Sequence, residues 1–142
     1  MTDLKGKYFD NKQPENNTYF PSADLNKIKQ LEKSLSIELP QDYVDFLCRT
    51  NGYEGILGES YVILASIESV EEYTESYGGE FFTWIVYIGT DGGNEMYVID
   101  RRKEQMQFGI LPFIGQESDF ISLGDSFEEF VKHLYFNDFW KE

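Results

Sequence analysis

A chain of 142 residues is long enough for one hydrophobic core of ordinary size, and its net charge of −14 argues against direct binding to a nucleic-acid backbone, whose phosphates call for Lys and Arg. No apolar run has transmembrane length, and the opening MTDLKGKYFDNKQPENN lacks the apolar stretch of a signal peptide. Cys48 is the single cysteine and cannot close an internal disulfide, so a cytoplasmic protein without a membrane partner is expected.

In chain order, residues 1–21 are polar and aperiodic and read as an N-terminal arm flanking a domain at 22–142. Tyr8, Phe9, Tyr19 and Phe20 are the residues that would pin the arm down. A helix is expected after Ser22 as N-cap, with Asp24 in its first turn, Leu25, Ile28 and Leu31 on the buried side and Leu35 near its end. The run LPQDYVDFLCRTNGYEG, residues 39–55, reads as a second helix. Pro40 suits its first turn, Tyr43, Phe46, Leu47 and Thr50 recur at helical spacing, and Asn51-Gly52 tolerate a left-handed stop. Residues 55–58 read as a loop and 61–64 as a short strand. Ser66 is placed to cap a third helix with Ile67, Val70, Tyr73 and Tyr77 on one side, leaving Glu68, Glu71, Glu72 and Glu75 mainly outside that stripe.

The remainder reads as an antiparallel meander closed by a helix. Strands are expected at 82–88, 95–100, 105–111 and 120–123, with a Gly-rich turn at 89–95 and a reversal at RRKE, 101–104. Ser126 and Glu129 form a capping-box pattern ahead of the apolar stripe Phe127, Phe130, Val131 and Leu134. Helices first, then a meander with helices at its ends, make the fold class α+β rather than a parallel α/β sheet. Twelve Phe, ten Tyr and two Trp imply a core built on large rings.

The search for chemistry returns no catalytic set. His133 is the only histidine, which rules out a His-pair zinc site, and it reads as a surface or boundary residue. Cys48 reads as small buried filler rather than a nucleophile. The turn at 89–95 has two adjacent glycines that could offer N–H groups to an anion, but Asp91 and Glu95 would repel phosphate. A hairpin using Gly and Asn at positive φ accounts for its composition. Adjacent acids such as Glu71-Glu72 point in different directions on a helix and define no cleft. No enzyme activity, cofactor or metal is therefore expected.

Two motifs in order, LPQDYVDFLCRTNGYEG and YIGTDGGNEMYVID at 87–100, followed by LPFIGQESDFISLGDSFEEFVKHL at 111–134, resemble the SMI1/KNR4 family, or SUKH superfamily, over most of the chain. The resemblance implies a mainly antiparallel sheet flanked by helices, with the Gly-rich turn entering a core strand. It implies no general catalytic residue set. Many bacterial members are immunity proteins, so the expected function is to bind and neutralise a cognate secreted polymorphic toxin, often a nuclease, in the producing cell. The alternative is an intracellular scaffold or regulatory binding module; relatives of that kind carry long flanking segments, which counts against it here.

Charge distribution refines the expected partner. Residues 34–100 hold Arg49 against thirteen acids, whereas residues 1–33 carry a net +1 and residues 101–142 a net −3. Such an acidic block favours a basic toxin domain and can speed its capture, although net negative charge also serves solubility. The candidate contacts are Glu54, Glu59, Glu68, Glu71, Glu72, Glu75 and Asp91. Exposed aromatic residues would equally suit a homodimer.

Overall fold

The computed structural model describes residues 18–78 and 82–137. Among these residues, seven strands, β1 (Thr18–Tyr19), β2 (Tyr53–Leu57), β3 (Ser60–Leu64), β4 (Ile85–Thr90), β5 (Glu95–Asp100), β6 (Gln107–Pro112) and β7 (Ile121–Gly124), form one sheet in sequential order. Every pairing is antiparallel. Four helices accompany it: α1 (Leu25–Leu35), α2 (Gln41–Leu47), α3 (Ile67–Tyr73) and α4 (Phe127–Phe136). The architecture is the expected α+β arrangement.

Strands β4, β5 and β6 are buried along most of their length, so both faces of the sheet centre are covered. On one face, Tyr43 and Phe46 of α2 and Phe127 and Phe130 of α4 meet Tyr97 and Phe108. Ring centroids there lie 4.9–6.1 Å apart. On the other, Tyr73 of α3 and Tyr77 of the π-turn Thr74–Gly78 reach Tyr87, which stands opposite Val98 in the ladder. The expected aromatic core is thus split between the two sides of one sheet.

Local sequence explains most boundaries. Ser66 accepts from the Ser69 N–H and Ser126 from the Glu129 N–H, so both predicted caps form. The first helix instead starts two residues after the expected point: Asp24, not Ser22, is the N-cap, accepting from the Asn26 N–H at 2.9 Å. Its inner face is Ile28, Leu31 and Glu32, while Leu25 is 49% exposed. Glu32 turns inward because its Oε2 accepts the Leu39 N–H at 2.7 Å, satisfying a donor that burial would otherwise strand.

Residues 55–58 are not a loop. They continue β2 to Leu57, and Gly58-Glu59 alone make the turn, since Leu57 pairs with Ser60. Gly58 has φ +60°, the left-handed first position of a type II′ hairpin, where a side chain would be strained. Strand β4 begins at Ile85 rather than at 82, and β6 and β7 each start later than expected, at Gln107 and Ile121. The RRKE reversal is held by Arg102, whose guanidinium grips both Asp100 oxygens at 2.8–2.9 Å and Glu117 at 2.6 Å while lying 3.9 Å from the Trp84 ring centre.

Candidate functional site

The Thr50-Asn51-Gly52 segment is a bracket that joins three parts of the chain. Thr50 is fully buried; its Oγ1 accepts the Phe20 N–H at 2.8 Å and donates to the Gly52 carbonyl at 2.6 Å. The Asn51 N–H donates to the Pro21 carbonyl, and its side-chain oxygen accepts the Ile67 N–H at the start of α3. Its amide nitrogen donates to Glu68 Oε1 at 2.9 Å. The helix itself ends earlier, at Leu47, with Cys48 as the C-cap. Cys48 is exposed, contrary to its reading as buried filler, because the cap carries it past the inward face of α2.

This bracket, β2, β3 and the α3–π-turn segment enclose an open groove of about 710 Å³. Its wall is aromatic: Tyr73 and Tyr77 stack at 5.8 Å, and both pack on Tyr87 at 5.2 and 5.9 Å. Tyr73 and Tyr77 are 37% and 36% exposed, whereas Tyr87 is buried. Burial first, and then the two neighbouring tyrosines, push the Tyr87 phenol up to about 12. The apolar floor includes Ile63, Leu64 and Ala65, and Glu54 stands on the rim. Phe20, at the end of the arm, lines the groove and is 40% exposed. Such a surface, with half-exposed rings around a concavity, suits anchor contacts with a partner.

Helix periodicity alone put Tyr73 and Tyr77 on the packed side of α3. They do share a side, but the helix unwinds into a π-turn at Thr74, which carries them to the groove wall. The legible signal was their i, i+4 spacing in an acid-rich helix, a pair with polar tips that need not be core.

The seven candidate acids do not form one face. Glu54, Glu59, Glu68, Glu71, Glu72 and Glu75 are exposed and Asp91 is half-buried. Glu54 accepts the Tyr61 hydroxyl at 2.8 Å beside the groove. Glu68 is engaged by Lys27 at 2.9 Å and by Asn51; those hydrogen bonds, the one from Lys27 foremost, hold its carboxyl at about 2. Glu59 and Asp91 lie instead in a second recess, and Glu71 and Glu75 border a third beside Arg101. Folding separates residues that are neighbours in sequence charge because strand and helix directions diverge.

Asp91 also has an internal task. Its Oδ1 accepts the N–H groups of Gly93 and Glu95, and Thr90 Oγ1 accepts that of Gly92. The turn's donors are therefore directed inward rather than at an anion. Gly92 takes φ +82° as expected, but Asn94 is not left-handed. Gly89 is needed for a different reason: a Cβ there would collide with the Ile63 carbonyl of β3.

Cys48 caps the C-terminus of α2 and His133 sits partly buried on α4, and among the described residues no group of three or more His, Cys, Asp or Glu is placed to hold a metal. No helix among the described residues is long and apolar enough to cross a membrane.

An all-antiparallel sheet with helices on both faces and a bracket built from Thr50-Asn51-Gly52 defines a small α+β domain. The SMI1 / KNR4 family (SUKH-1) matches it over residues 22–133, and the chain belongs to that family. It is also similar to the uncharacterized protein YnaB of Bacillus subtilis (strain 168), at 32% identity over 111 residues, covering 75% of this chain and 72% of that relative.

Proposed function

We propose that this protein is an immunity protein that binds a cognate secreted toxin domain and blocks it in the cytoplasm of the producing cell. The carrying observation is the tyrosine-walled groove with a carboxylate rim in a domain of the SUKH family. A toxin that acts on nucleic acid must present a basic surface to phosphate. A protein of net charge −14 competes for that surface through long-range attraction, and Tyr73, Tyr77 and Phe20 supply apolar anchors once the two meet. The mode of action is occlusion by binding rather than catalysis.

The test is co-expression with the toxin domain encoded beside this gene, followed by pull-down. Survival together with a stable complex is the expected result. The Tyr73→Ala/Tyr77→Ala pair should then weaken the complex by about 2–4 kcal/mol, the range of anchor residues, without unfolding the domain. Continued killing with no complex would shift the reading to a scaffold or regulatory module.

A further inference from the structure

Next to the groove lies a smaller recess of about 240 Å³ lined by three acids, Glu59, Asp91 and Glu95. It opens because β3 and β4 pair only at Ile63–Thr90 and Leu64–Gly89, so the tip of the β4–β5 hairpin stands away from the β2–β3 turn. Glu59 enters from one side and Asp91 and Glu95 from the other; among the described residues no Lys, Arg or His lines it. Asn137, the C-cap of α4, completes the wall, so the negative end of that helix also faces this region.

The second, independent sign is Tyr97. It is 2% exposed, its ring packs edge-on against Phe130 at 5.4 Å, and it lines the recess. Among the described residues nothing hydrogen-bonds its hydroxyl, and Asp91 and Glu95 lie within electrostatic reach of the phenol. Burial first, and then Asp91 and Asp119, raise the Glu95 carboxyl as well.

We infer that this recess is a socket for one cationic side chain, Lys or Arg, of the protein partner. Glu59 and Glu95 would supply the counter-charge and Tyr97 a hydrogen-bond acceptor at its inner wall. The socket adjoins the groove across one ridge: Tyr61 lines the recess, and its hydroxyl donates to Glu54 on the groove rim. A basic residue seated here would therefore register a partner whose apolar anchors occupy the groove. Absence of a metal-competent cluster among the described residues favours an organic cation over a divalent ion.

This rests on the toxin-binding reading, but its test needs no toxin. The amide spectrum of the full chain would be titrated with acetyl-arginine methylamide, with acetyl-norleucine methylamide as the uncharged control. Saturable shifts confined to residues 59–61 and 91–97, seen with the arginine compound alone, are expected. Glu95→Gln and Tyr97→Phe should each weaken that binding, by about tenfold and about threefold respectively, with the spectrum otherwise unchanged. Equal shifts with both compounds, shifts elsewhere, or binding indifferent to both substitutions would overturn the socket. Binding of calcium but not of the arginine compound would overturn it too. Rescue failing while the socket binds arginine would count against the toxin reading alone.

Discussion

Tyr43 is buried against Phe108 and Phe127, and among the described residues its hydroxyl has no hydrogen-bond partner. Burial alone pushes that phenol's pKa up, because nothing compensates the charged form. A stranded hydroxyl costs about 1–3 kcal/mol, so Tyr43→Phe should stabilise the fold by about 1 kcal/mol in urea unfolding. A loss of stability would mean that the hydroxyl has a partner. Glu68 offers a pH prediction at the same scale. Its folded pKa, about 2, lies below the ordinary 4.5, so its contribution is complete above about 4.5 and is lost as pH falls towards 2. Lys27→Met should return the Glu68 carboxyl towards 4.5 in an NMR titration and flatten the acid limb of stability, since the Lys27 hydrogen bond is the main cause. Asp100 acts in the same direction: burial works to raise its pKa, and the Arg102 hydrogen bonds more than reverse it.

Among the elements, the bracket between α2 and α3 is the most constrained. Gly52 has φ +106°, and a Cβ there would sit 2.6 Å from the Leu64 carbonyl. Both left-handed strain and a backbone clash oppose any side chain, so Gly52→Ala should cost about 2–4 kcal/mol in chemical denaturation. An exposed cap makes the contrast: Ser126→Ala removes one hydrogen bond to the Glu129 N–H and should cost only about 1 kcal/mol. Equal costs would show that the bracket relaxes around the new methyl. The bracket also bears on the site, because Thr50 and Asn51 hold Phe20 and Pro21 at the groove while Asn51 secures the start of α3.

At the scale of the whole molecule, charge acts at a distance and the two concave surfaces act on contact. With −14 overall, capture of a basic partner should slow roughly tenfold between low and near-physiological salt, while dissociation changes much less. Stopped-flow mixing at several ionic strengths reads this directly. A salt-independent on-rate would remove steering from the account and leave the tyrosine wall to carry recognition.

The amino-acid sequence by itself determined the fold class, the caps at Ser66 and Ser126, the Gly-rich turn between two strands and the family, because each depends on periodicity, turn chemistry or a motif written in consecutive residues. Glu68, Glu71, Glu72 and Glu75 were legible as exposed for the same reason, lying off the apolar stripe of one helix. Only the tertiary structure decided how those acids are divided, since that depends on where helix and strand directions part. It also decided that the π-turn brings Tyr73 and Tyr77 to Tyr87, and that Tyr97 and Glu59 line one recess across a gap in the sheet. Those juxtapositions join residues ten or more positions apart, and no local pattern encodes the packing that brings them together.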